Sequence, residues 1–131
     1  MADMTRAREA RIRAKIDEIK RGYGDGIVGL LKEVNARYLH GAGELAVKPV
    51  IEGSNLRWTL SWKEKEKISF DLNVVVGVVD NGKQANIERV WVHRHASTPL
   101  DYEDHTPTTR IRRLTDLSIA GIRAAVEAEM G

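Results

Sequence analysis

From Leu56 to Lys63 apolar and polar residues alternate without exception, Leu56, Trp58, Leu60 and Trp62 against Arg57, Thr59, Ser61 and Lys63. Ile68, Phe70, Leu72 and Val74 repeat the pattern against Ser69, Asp71 and Asn73. A period of two belongs to a strand with one buried face and one wet face. Two such segments so close together pair as an antiparallel hairpin, and something apolar must cover the face they share. A three-residue turn at Glu64-Lys65-Glu66 sets Trp62 opposite Ile68, Leu60 opposite Phe70 and Trp58 opposite Leu72.

The flanking segments extend the meander. Leu45, Val47, Pro49 and Ile51 alternate with Ala46, Lys48 and Val50. A two-residue Gly53-Ser54 loop then places Ile51 opposite Leu56. Pro49 cannot donate to a ladder, so this strand belongs at an edge. Downstream, Asp80-Asn81-Gly82-Lys83 marks a further hairpin whose parity is open. A two-residue loop pairs Val76 with Ile87 and turns Arg89, Trp91, His93 and His95 inward. A three-residue loop pairs Leu72 with Val90 and Phe70 with Val92, and turns Trp91, His93 and His95 outward. The second is expected, because burying an arginine and two histidines is costly.

Helical periodicity flanks the strands. Thr5 can cap a helix over about residues 5–21, with Ile12, Ile16, Ile19 and Tyr23 on one stripe. Gly22, Gly24 and Gly26 interrupt it, and Asp25 can cap a second helix over about 26–40 carrying Ile27, Leu30, Leu31, Val34 and Tyr38. The glycine segment lacks the Lys and Ser/Thr of a phosphate-cradling loop. After an irregular stretch at 96–106, Thr106 and Pro107 suit the start of a helix over about 107–129, with Ile111, Leu114, Ser118, Ile122, Ala125 and Val126 inward. The expectation is one α+β domain over residues 1–131. Its four-stranded antiparallel meander, spanning about 45–95, carries two N-terminal helices and one C-terminal helix on a single face, in the order α-α-β-β-β-β-α.

Composition narrows the function classes. The chain of 131 residues can bury one core without staples. It has no cysteine, which excludes disulfides, thiolate zinc sites and Cys nucleophiles. The longest apolar run, Val74 to Val79, is six residues counting Gly77, far short of the roughly 20 that span a bilayer. The first 21 residues hold no apolar block of the secretory kind, so a cytoplasmic protein without membrane contact is expected. A net charge of +2, from 21 basic and 19 acidic residues, selects no partner class. No nucleophile elbow, HExxH or P-loop occurs, so no reaction is selected, an enzyme is the lesser expectation and no cofactor is implied.

Three surfaces could carry function. In the register above Val74 already faces Leu56, the first residue of its neighbouring strand. Val75 to Val79 should therefore overhang the sheet, apolar on both sides, with Ile87 beside them. A free two-stranded ribbon is marginal in water, so the arm at 74–88 requires cover from its own helices, a twin subunit or a foreign partner. The leading expectation is a non-catalytic binding or assembly module working by protein–protein contact. Val75, Val76, Val78, Val79 and Ile87 would then be the docking or dimerisation element, with a homodimer as one outcome. The alternative is nucleic-acid binding through Arg6, Arg8, Arg11 and Arg13 of the first helix with Arg57 and Lys63 of the sheet. A second alternative is a metal-dependent enzyme, with His93 and His95 two apart on a strand and Asp101 and His105 downstream as further ligands.

Overall fold

The computed structural model describes residues 2–65, 68–79, 82–96 and 117–130. Among them are two helices and five strands: α1 Ala2–Tyr38, β1 Glu44–Leu45, β2 Val50–Glu52, β3 Asn55–Lys65, β4 Ile68–Val79, β5 Gln84–Ala96 and α2 Ile119–Met130. The strands form one antiparallel sheet in the order β1-β3-β4-β5, with β2 also paired to β3. Both helices pack on one face of it, which confirms the α+β layering, though the element counts differ from expectation.

The first correction concerns the N-terminal helices, which are one. α1 runs unbroken through Gly22, Gly24 and Gly26. Its inward stripe passes through the glycines without losing phase: Ile12, Ile16, Ile19, Tyr23, Ile27, Leu30, Leu31 and Val34 all enter the core or pack on it. Tyr23 and Ile27 are four apart, the spacing of one helix. Three glycines cost about 1 kcal/mol each, and the continuous apolar stripe more than offsets that. Gly26 also has a packing role. A Cβ there would lie 2.8 Å from Ile119 Cδ1 at the start of α2, whereas Gly22 and Gly24 have nothing within 4 Å. We therefore expect Gly22→Ala and Gly24→Ala each to raise stability by about 1 kcal/mol in urea denaturation, and Gly26→Ala to lower it. A turn at this point would make the first two substitutions destabilising.

At its C-terminus α1 closes with His40 at φ 53° and Gly41 at φ 81°. The Gly41 N–H donates back to Asn35 O at 2.9 Å, an oxygen that also accepts from the Leu39 N–H at 3.1 Å. The Asn35 side chain then accepts from the Gly43 N–H (2.8 Å) and donates to the Gly43 carbonyl (3.1 Å), tying the helix end to β1. α2 starts later than the expected 107. Leu117 and Ser118 are not helical, and Ser118 Oγ accepts from the Gly121 N–H at 3.0 Å as an N-cap. The expected cap at Thr106 and Pro107 lies outside the described residues.

The sheet keeps the expected faces but not the expected partners. Trp62 pairs with Phe70, Leu60 with Leu72, Trp58 with Val74 and Leu56 with Val76, each two residues on from the sequence-based register. Lys65 pairs with Ile68, three positions beyond the expected register, and the bulge between Lys63 and Lys65 takes one back; the net shift of two leaves every side chain on its original side. Upstream, Ile51 meets Leu56 as expected. The expected single edge strand is two short ones, broken over 46–49, where Pro49 sits.

Both parities of the last hairpin occur. Near the turn Val76 pairs with Ile87. Beyond a bulge between Val75 and Val76, where Glu88 is the extra residue, Val74 pairs with Val90 and Leu72 with Val92. One added residue thus keeps Ile87 inward and turns Val90 and Val92 inward as well, with Arg89, Trp91, His93 and His95 on the opposite face.

These registers remove the overhang. β3 accompanies β4 as far as Gly77, and the Val78 N–H donates to Ser54 O at 2.9 Å. Val76, Val78 and Ile87 are buried with Ile16, Ile19 and Trp58 in one core, while Val75 and Val79 are half-buried on the other face. The hairpin tip also touches α1, since a Cβ on Gly82 would lie 2.9 Å from the Arg11 carbonyl carbon. Of the expected docking residues, Val76, Val78 and Ile87 are therefore part of the chain's own core, and Val75 and Val79 are half-buried on the open face.

Candidate functional site

One face of the sheet carries neither described helix. Pairing lays its side chains out in cross-strand rows: Asn55–Gly77–Asn86, Arg57–Val75–Arg89, Thr59–Asn73–Trp91, Ser61–Asp71–His93 and Lys63–Ser69–His95. Polar groups on neighbouring strands bond to one another. The Thr59 hydroxyl donates to Asn73 Oδ1 at 3.0 Å, and the Ser61 hydroxyl donates to Asp71 Oδ1 at 2.7 Å. Asp71 Oδ2 lies 2.6 Å from His95 Nε2, and the His93 and His95 rings meet edge to face with centroids 4.4 Å apart.

The order Ser61–Asp71–His95 matters chemically. In hydrolytic triads the imidazole stands between hydroxyl and carboxylate and takes the hydroxyl proton. Here the carboxylate stands in the middle, so it holds both neighbours and activates neither. His93 and His95 share a face, as a metal pair requires, but no group of three or more metal-ligating side chains forms among the described residues. Asp101 and His105, the other expected ligands, lie outside them.

The basic residues do not converge either. Arg6, Arg8, Arg11 and Arg13 are exposed on α1, against the apolar face. Arg57 and Lys63 point from the opposite face. A single strand of nucleic acid lying on one of these surfaces does not reach the other without passing round the sheet edge.

At the Asn86 end of the open face lies a cleft of about 300 Å³ lined by Glu52, Asn55, Arg57, Val75, Glu88, Arg89 and Trp91. Its floor is low because Gly77 has no side chain, and Glu88 folds over that position so closely that a Cβ on Gly77 would collide with Glu88 Cγ. Arg57 Nη2 reaches Glu52 Oε1 at 3.0 Å, and the Arg89 guanidinium stacks on Trp91, 4.2 Å from the ring centroid. The Nε atoms of both arginines are buried without a hydrogen-bond partner among the described residues. Each such donor costs about 1–3 kcal/mol if it stays unpaired.

A second surface lies at the β1–β2 edge. Val47, Val50 and Ile51 are 59%, 47% and 46% exposed, and they are the large apolar residues that the described chain leaves in water. Beside them is an apolar groove of about 530 Å³ between β2 and α1, formed by Ile12, Ile16 and Ile51 and rimmed by Glu9, Arg13 and Asp17. Sequence reasoning missed both surfaces, yet each left a trace. Val50 and Ile51 are adjacent apolar residues in an edge strand, so one of them must face away from the core. Trp91 lies on the open face as alternation predicts, and Arg89 shares that face by the same parity; the bulge at Glu88 decides which β4 residues they stand beside.

No helix of the described residues is long and apolar enough to cross a membrane. No family model, curated protein or solved structure matches the chain.

Proposed function

We propose that this chain is a non-catalytic assembly module that contacts a second copy of itself through the β1–β2 edge. The observation that carries this reading is Ile51, 46% exposed where it borders an apolar groove, with Val47 and Val50 exposed on the same sheet edge and Val50 on the other face of it. Isolated exposed apolar residues need no explanation, but a patch that adjoins a fitting groove does. Half-exposed Ile51 is itself one wall of the recess whose other apolar residues are Ile12 and Ile16. A two-fold axis can therefore seat each Ile51 in the other subunit's groove. The rim fits the same symmetry, because Arg13 stands among Glu9 and Asp17, so each arginine can meet its twin's carboxylates. The break at 46–49 and Pro49 oppose a continuous ladder across the edge, so side chains rather than backbone make this contact.

Sedimentation velocity over a concentration series should show a reversible monomer–dimer equilibrium. Val50→Lys with Ile51→Lys should shift it to monomer while leaving circular dichroism and the melting temperature nearly unchanged, since both residues are already wet. A wild-type chain that sediments as a monomer at every concentration would refute the proposal, as would a dimer that the double variant leaves intact.

A further inference from the structure

We infer that the cleft between Arg57 and Arg89 is a binding site for the oxyanion of a small organic ligand, a carboxylate or a phosphate. This site is on the open sheet face and does not depend on the edge contact. Arg57, Val75 and Arg89 form one cross-strand row, so two guanidinium groups rise on either side of a single apolar residue. The two guanidinium groups share the cleft with two carboxylates, Glu52 and Glu88. Glu52 meets Arg57 on the rim at 3.0 Å, and Glu88 lies over Gly77 on the floor. Both arginines nevertheless keep an Nε–H buried and unpartnered, in a chain where the described residues leave one other such side-chain atom, Trp58 Nε1.

The cleft is also built to hold its arginines still. Stacking on Trp91 fixes the plane of Arg89, and the ion pair with Glu52 fixes the reach of Arg57. A preorganised guanidinium fork suits planar, two-pronged oxyanions better than a point charge does. Its volume of about 300 Å³ suits a small molecule, with Val75 and the Trp91 edge as the apolar wall.

The test is a titration of the full-length chain labelled with nitrogen-15, using sodium phosphate and sodium benzoate as probes at constant ionic strength. The Nε–H signals of Arg57 and Arg89 and the Trp91 indole should shift along a saturating curve, while that of the exposed Arg21 stays still. Saturation by benzoate at the lower concentration assigns an organic carboxylate, and saturation by phosphate assigns a phosphoryl group. Arg89→Gln should weaken binding by about tenfold or more, and Arg89→Lys should recover part of it. Shifts that stay linear to the solubility limit would overturn the inference, as would shifts equal in wild type and Arg89→Gln. Binding of a thymidine oligonucleotide without any response to the two small anions would also overturn it, in favour of strand binding.

Discussion

Val76→Lys is expected to abolish folding. Val76 is fully buried and pairs with Leu56 on one side and Ile87 on the other, in the layer against α1. Removing the isopropyl group forfeits about 1.5–3 kcal/mol of burial. Placing an ammonium among Leu56, Ile87 and Trp58 costs several kcal/mol more, since no buried carboxylate is among the core residues. Domains of this size have about 5–15 kcal/mol in total, so the variant should lack a cooperative thermal transition. Val75→Lys, one residue earlier and on the open face, should melt within a few degrees of wild type. Circular dichroism distinguishes the pair directly. A Val76→Lys chain that folds normally and loses only self-association would restore the hairpin as a docking arm.

Gly82→Val should destabilise the fold by about 3 kcal/mol or more. Gly82 stands at φ 91°, where a β-branched residue is strained, and its missing side chain is the space into which the α1 backbone at Arg11 and Ile12 fits, at 2.9 and 3.0 Å. The valine must therefore both distort the turn and push the helix off the hairpin. Gly53→Val separates these effects: Gly53 is also left-handed, at φ 61°, but has nothing within 4 Å of a Cβ. It should show the conformational penalty alone. Equal losses in urea denaturation for the two variants would mean that the Gly82–α1 contact contributes nothing.

The sidedness of β3 and β4 was legible because alternation is a local property that survives any even slip. Trp58, Leu60, Leu72 and Val74 face inward as read, although each partner is displaced by two. Register was harder, because a bulge takes one residue and Glu64 looks like any other turn residue. The same holds at Glu88: the two-residue-loop register holds from Gln84 to Ile87, and beyond the bulge Val90 and Val92 face inward as expected but pair with Val74 and Leu72, two positions from the expected Leu72 and Phe70. Reading three glycines as a break split α1. Their intrinsic cost is real, but phase continuity from Tyr23 to Ile27 was the better guide. The expected overhang has a different cause, since it rests on Leu56 facing Val74 and disappears once the shift of two pairs Leu56 with Val76. The outward faces of Arg57 and Trp91 follow from alternation, but the row Arg57–Val75–Arg89 joins strands more than 30 positions apart through registers shifted by bulges, so no run of sequence displays the cleft.

The 37 residues of α1 are made before the strands they pack against, and the last of those described comes much later. Val90 and Val92 follow the helix end at Tyr38 by some fifty positions. At ordinary ribosomal speed that is a wait of roughly 3 to 10 s. The meander closes through near neighbours and can form early, whereas docking of the helix closes a long loop. During that interval Ile16, Ile19, Ile27, Leu30 and Leu31 form a greasy ridge with no partner. A nascent chain stalled near position 80 should consequently be a substrate for whatever holdase waits at the exit tunnel, and release should coincide with emergence of the final strand.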